Sequence, residues 1–289
     1  MIGKQLSLGL LLGSALAAQA PPGTDIYVMS FAAGGATATI GKPINITARA
    51  GYDNQPFFAP DGKSIYYTSQ RDGQTDIFRY DIAPGLSSQV TRTTENEYSP
   101  TVMPDGKHFS VIRDSTQHLW SFTLDGAPVK PLLDSIRPIG YHTWLNADTV
   151  FVFVLGTPAT LRRAELAGGT AAIVASDIGR ALLKVPGRRA VSYAQRDSAG
   201  FVVRVIDPIT GQGESLMRLP EGNEYFIWLP DGGLLSASGN RLLRWRVGER
   251  EWTEVARFAE PGLQRITRLA LSPDGSRLAL VSAEPAPPQ

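Results

Sequence analysis

Cysteine is missing from all 289 residues. That excludes disulfides, thiolate nucleophiles, cysteine-ligated zinc, iron–sulfur sites and lipid attachment through an N-terminal cysteine. Histidine is scarce: His108, His118 and His142 are the three, and none stands in a His-x-x-x-His or His-x-x-Glu-His spacing. An excess of one charge is lacking too. With 28 Lys and Arg against 27 Asp and Glu the formal charge is +1, and no block of like charge interrupts the chain. A nucleic-acid binder shows a basic face or run, so no nucleic-acid partner is expected. Gly-x-Ser-x-Gly is absent, and the glycine pairs Gly34-Gly35 and Gly168-Gly169 sit between apolar strands rather than ahead of a helix. Neither a nucleophile elbow nor a phosphate loop is present, and no cofactor is expected.

Long apolar runs are also lacking after the first twenty residues. There, Lys4 precedes an apolar stretch from Leu6 to Ala18, and small residues follow to Ala20. This pattern reads as a signal peptide over residues 1–20, cut after Ala17 or Ala20. A membrane anchor is the alternative, but the stretch is shorter than the roughly 20 residues a spanning helix needs. The mature chain is therefore expected to be periplasmic or secreted, without a membrane span, and a monomer.

What is present is a recurring hairpin. Phe57-Phe58-Ala59 runs into Pro60-Asp61-Gly62, and Ile65-Tyr66-Tyr67 runs out. Proline presets the first corner of such a turn, aspartate bonds back to the local backbone, and glycine accepts the left-handed conformation. The turn aspartates Asp61 and Asp105 stand 44 apart, Asp105 and Asp231 126 apart (three units of 42), and Asp231 and Asp274 43 apart. A period of 40–45 residues with four short strands per unit, here a to d, is that of β-propeller blades. The last unit has strands a and b alone, at Pro273-Asp274-Gly275 and Leu278 to Val281. The segment from Thr24 to Thr47 reads as a c and a d without partners. The expected fold is therefore all-β: a six-bladed propeller over residues 21–283, its ring closed by N-terminal strands completing the last blade, with a Pro-rich tail at 284–289.

The stretch Ala59 to Phe78, Ala-Pro-Asp-Gly-Lys-Ser-Ile-Tyr-Tyr-Thr-Ser-Gln-Arg-Asp-Gly-Gln-Thr-Asp-Ile-Phe, resembles the WD40-like PD40 repeat of TolB-like propellers. The resemblance extends over residues 24–283 and lacks the N-terminal α/β domain of TolB. It implies an envelope protein that binds a protein or peptide. Similar repeats also occur in peptidase propeller domains and in some lyases.

The Pro-Asp-Gly aspartates are explained by their turns. Asp25, Asp76 and His118 share a slot at the start of strand c, where they are expected to close the b–c loop through backbone amides. Recognition is expected at the channel mouth, where each strand a begins. Counting back from the turns assigns Asp53, Asn54 and Gln55 to blade 1, Glu97 and Tyr98 to blade 2, and Tyr141 with His142 to blade 3. Arg180 falls in blade 4, Asn223, Glu224 and Tyr225 in blade 5, and Thr267 and Arg268 in blade 6. Tyrosine and arginine among polar residues make a typical contact surface. The alternative is a metal-dependent polysaccharide lyase or hydrolase using the channel carboxylates and His142, with a glycan as ligand. A purely structural module is the third reading.

Overall fold

Each turn does what its residues demand. The side chains of Asp61, Asp105, Asp231 and Asp274 accept hydrogen bonds from the amides two residues on, of Lys63, Lys107, Gly233 and Ser276, at 2.9–3.1 Å. In the third unit, which has no Pro-Asp-Gly, Asn146 accepts from the Asp148 amide at 2.9 Å and takes the same part. The strands flanking these turns pair, and the computed structural model, which describes residues 22–34, 37–169 and 171–285, contains six antiparallel sheets in a ring. The signal segment expected at residues 1–20 and the tail residues 286–289 lie outside the described residues.

Blades 1 to 5 each hold four consecutive strands. Blade 1 comprises Asp53–Phe58 (a), Ser64–Arg71 (b), Gln74–Asp81 (c) and Leu86–Gln89 (d). Blade 6 takes a and b from the C-terminal end, Ile266–Leu271 and Arg277–Ala283, and c from the N-terminal end, Thr24–Ala33. Seven consecutive residue pairs join Thr24–Ser30 to Arg277–Ala283. Its outer strand is split into Ala38–Ile40 and Ile44–Asn45, both paired with strand c. The first of these falls partly in what the sequence suggests is a loop from Ala32 to Thr39. Glu284, at the head of the expected tail, continues the closure: its amide donates to the Gly23 carbonyl and its carboxylate accepts from the Gly51 amide.

The core is six seams between neighbouring blades rather than one centre. Tyr66, Phe109 and Phe122 stack at 5.6 Å spacings between blades 1 and 2. In blade 3, every residue of strand b, Thr149–Val154, is buried. A strand covered on both faces carries a continuous apolar run instead of alternating.

Asp25 and Asp76 do not close the b–c loop. Each accepts a hydrogen bond from a threonine hydroxyl beside strand d, Thr47 at 3.1 Å and Thr91 at 3.3 Å. Each of those hydroxyls accepts from the amide following the aspartate, Ile26 or Ile77, at 2.9 Å. The aspartates lock c to d because the threonine hydroxyl fills the amide's hydrogen-bonding position. His118 does face its loop, pairing with Asp114 at 3.0 Å.

A second lock joins blades. The indole N–H of Trp144 in blade 3 donates to Ser110 Oγ in blade 2 at 2.9 Å, and Trp228 in blade 5 donates to Ser192 Oγ in blade 4 at 2.8 Å. Replacing either tryptophan by phenylalanine keeps most of the ring and removes the bond. Each change should cost about 1 kcal/mol in chemical denaturation, and the two should add because they sit in different seams. Equal stability of the double variant and the parent would remove the lock from the account.

Candidate functional site

Strand a begins at one mouth of the channel and ends at the Pro-Asp-Gly turns of the other. Near its start the pairing of a with b slips in blades 1, 2, 3, 4 and 6. In blades 1 and 2 the bulge puts Gln55 and Ser99 in the left-handed region, with φ of 58° and 56°. A bulge re-aims a side chain. Gln55 Oε1 leaves its own blade to accept from the Ser99 amide at 2.8 Å, while also taking the Thr68 hydroxyl at 2.7 Å.

The result is a layer across the channel. Arg268 of blade 6 lies over the Tyr225 ring of blade 5, 4.4 Å from its centroid, and over the Tyr141 ring of blade 3, at 5.0 Å. Blade 3 is opposite blade 6, so this side chain spans the channel. It also donates to the Tyr225 hydroxyl at 3.0 Å. Arg180 of blade 4 donates to Glu224 of blade 5 at 2.7 Å, and its amide donates to the same carboxylate at 2.8 Å. Gly179 permits that approach, since a Cβ there would meet the Glu224 carboxylate and the Phe201 ring at 2.8 Å. Burial pushes the Tyr52 and Tyr225 hydroxyls above their ordinary range, so these phenols are neutral.

Cavities flank the layer. One, of about 550 Å3, opens where strand a begins and is lined by Tyr52, Asn96, Tyr98, Asp114 and Gln117. The other, of about 370 Å3, runs toward the turns past Phe57, Leu183, Ile227 and Trp228. Gln55, Tyr141 and Arg180 border both.

Of the residues assigned to the mouth by counting, Gln55, Tyr98, Tyr141, His142, Arg180, Tyr225 and Arg268 line one or both cavities. The others line neither cavity and bond within the protein. Asp53, Glu97 and Asn223 occupy the same place in their blades, and all are buried. Asp53 pairs with Arg49 at 2.9 Å. Glu97 takes the Thr93 hydroxyl and lies 3.3 Å from Arg113. Asn223 donates to the Ala237 carbonyl at 2.7 Å and accepts from the Tyr225 amide at 2.9 Å. Asn54 accepts from the Gln55 amide, Thr267 donates to the Val281 carbonyl, and Glu224 holds Arg180.

Burial pushes Glu97 up to about 7, with the Thr93 hydroxyl and Arg113 opposing. Burial alone pushes His142 down to about 3. Its Nε2 lies 2.6 Å from Ser110 Oγ, while Nδ1 is buried without a partner among the described residues. Asp53, Glu97 and His142 are thus each engaged separately. Among the described residues no three His, Cys, Asp or Glu side chains converge to hold a metal ion. Tyr52 is the mouth residue that counting stops one short of. Asp114 and Gln117 come from the b–c loop of blade 2, which no count along strand a reaches.

Residues 13–136 match the family model described as PD40, the TolB beta propeller domain. An uncharacterised protein of Agrobacterium fabrum is 32% identical over 89 residues, 30% of this chain and 29% of the relative. The chain thus aligns with less than a third of that relative's length. The solved structure of a putative TolB from Agrobacterium tumefaciens superposes with a TM-score of 0.70 at 12% identity, covering 92% of this chain and all of the other. TolB from Acinetobacter baumannii superposes with a TM-score of 0.59 at 19% identity, covering 91% of this chain and 64% of that one. At such identities the superpositions speak for the fold.

Proposed function

We propose that this chain, a TolB-like PD40 propeller by its repeat sequence and its fold, is an exported binding module without chemistry of its own. It takes a protein or peptide of the cell envelope at the mouth where the a strands begin. The observation that carries this reading is the bordering set Tyr52, Tyr98, Tyr141 and Arg180 around the wider cavity. Tyrosine offers a large rigid contact surface with a polar tip at low cost in side-chain entropy, and arginine offers a planar fork of donors. The side chains are already held: Tyr98 accepts from the Thr75 hydroxyl at 3.2 Å, and Arg180 is tied to Glu224. A preorganised surface loses little freedom on binding.

Site-directed photo-crosslinking tests this. A photoreactive residue replacing Tyr98 should capture one envelope protein in cells of the source organism, and chelator should not change the yield. The same residue replacing Ile173, exposed on the outer strand of blade 3, is the control. Equal capture from both positions, or none from Tyr98, would overturn the reading. Turnover of an acidic polysaccharide that chelator abolishes would replace it with the lyase alternative.

A further inference from the structure

The narrower cavity, on the turn side of the layer, carries a charge imbalance that the wider mouth does not use. Arg180, Lys184 and Arg268 line it, and among the described residues not one aspartate or glutamate does. The chain as a whole is nearly neutral, so this is a local concentration of positive charge within low-dielectric walls, which focus its field. Arg180 is answered by Glu224. For Arg268 and Lys184 no carboxylate lies within ion-pair distance among the described residues. Arg268 is held instead by two aromatic faces and one neutral phenol, and its Nε is buried without a partner among the described residues. A guanidinium with donors to spare, at the inner end of an apolar passage, suits an incoming anion.

We infer that this cavity receives the free C-terminal carboxylate of a peptide whose last residues are apolar, with the carboxylate against Arg268. The walls of Phe57, Leu183, Ile227 and Trp228 take the apolar side chains. His142, whose buried Nδ1 is unpartnered and which lines the same cavity, offers the peptide backbone a polar contact. Lys184, exposed near the turn proline Pro186, stands at the outer end and favours approach of the negative group. A uronate-bearing glycan would bring the same anion, but its many hydroxyls would meet mostly hydrocarbon here. A fatty acid would leave the His142 nitrogen unanswered.

Fluorescently labelled tetrapeptides ending in Leu, Val or Phe, made both as free acids and as C-terminal amides, test the inference against the full mature chain by anisotropy. The acids should bind at least 10-fold more tightly than the amides, and the advantage should fade as salt is raised. Arg268→Gln should abolish the difference between acid and amide, and Arg268→Lys should restore part of it. The comparison of acid with amide on the parent protein stands even if a variant folds poorly. Equal binding of acids and amides, or no binding of either, overturns the inference. So does preference for laurate or an oligogalacturonate over the peptide acids. Crosslinking from Tyr98 reports on the other cavity, so either reading can fail while the other stands.

Discussion

A chain that begins at Ala48 should fail to fold cooperatively, whereas one that begins at Pro22 should melt in a single transition. The first lacks the whole of strand c of blade 6 and both pieces of its outer strand. Those strands contribute Ile26, Tyr27, Val28, Met29 and Phe31, all buried. At about 1.5–3 kcal/mol for each buried side chain of this size, their loss removes roughly 10 kcal/mol. That is comparable with the entire stability of an ordinary domain, about 5–15 kcal/mol. The damage would not stay local. The side chains of strand c divide between the seam with blade 5, around Leu242 and Leu263, and the seam with blade 1, around Ile65 and Phe78. Circular dichroism on heating, together with amide exchange, would read the result. A melting point for the shorter chain within a few degrees of the longer one would mean that the N-terminal strand does not close the ring.

Glu97→Gln should make the protein more stable, by an amount that grows from pH 5 to pH 8. The Glu97 carboxyl is completely buried, and its burial raises it from 4.5 to about 7. Below pH 4.5 the folded and unfolded chains both carry the proton. Between 4.5 and 7 the unfolded chain releases it while the folded chain retains it, so stability falls as pH rises. Above 7 both are ionised and the deficit is complete, at about 3 kcal/mol for such a shift. Glutamine keeps the neutral form at every pH. Denaturation of both proteins at several pH values gives the difference directly. If the 3.3 Å pair with Arg113 outweighs burial, the substitution will instead destabilise most at pH 8. The buried ion pair would then be a net source of stability, contrary to the usual balance between desolvation and attraction.

Much of this protein was legible because turns are local. Pro60-Asp61-Gly62 and its copies specify their conformation within four residues, and the aspartate bonds an amide two positions away. The period between them set the blade count, and the unmatched strands at the two ends set the closure, since a strand without a partner must find one. The same reasoning counted back along strand a and reached Gln55, Tyr141, Arg180, Tyr225 and Arg268, which do meet in the channel.

Tertiary structure decided which way those side chains point and what they meet. The bulges at Gln55 and Ser99 place ordinary residues at positive φ, and neither residue type announces it as glycine or asparagine would. Asp53 and Glu97 read as rim carboxylates but lie buried, because which side of a bulged strand each residue takes depends on its pairing partner. The meeting of Arg268 with Tyr141 joins residues 127 positions apart on opposite blades. Nothing in either neighbourhood encodes the other; only closing six blades into one ring brings them within 5.0 Å. The amino-acid sequence thus determined the repeat, the ring and the side chains supplied to the channel. The ring's closure decided which charges there meet a carboxylate, as Arg180 does, and which meet aromatic faces, as Arg268 does, because that depends on distances between blades rather than along the chain.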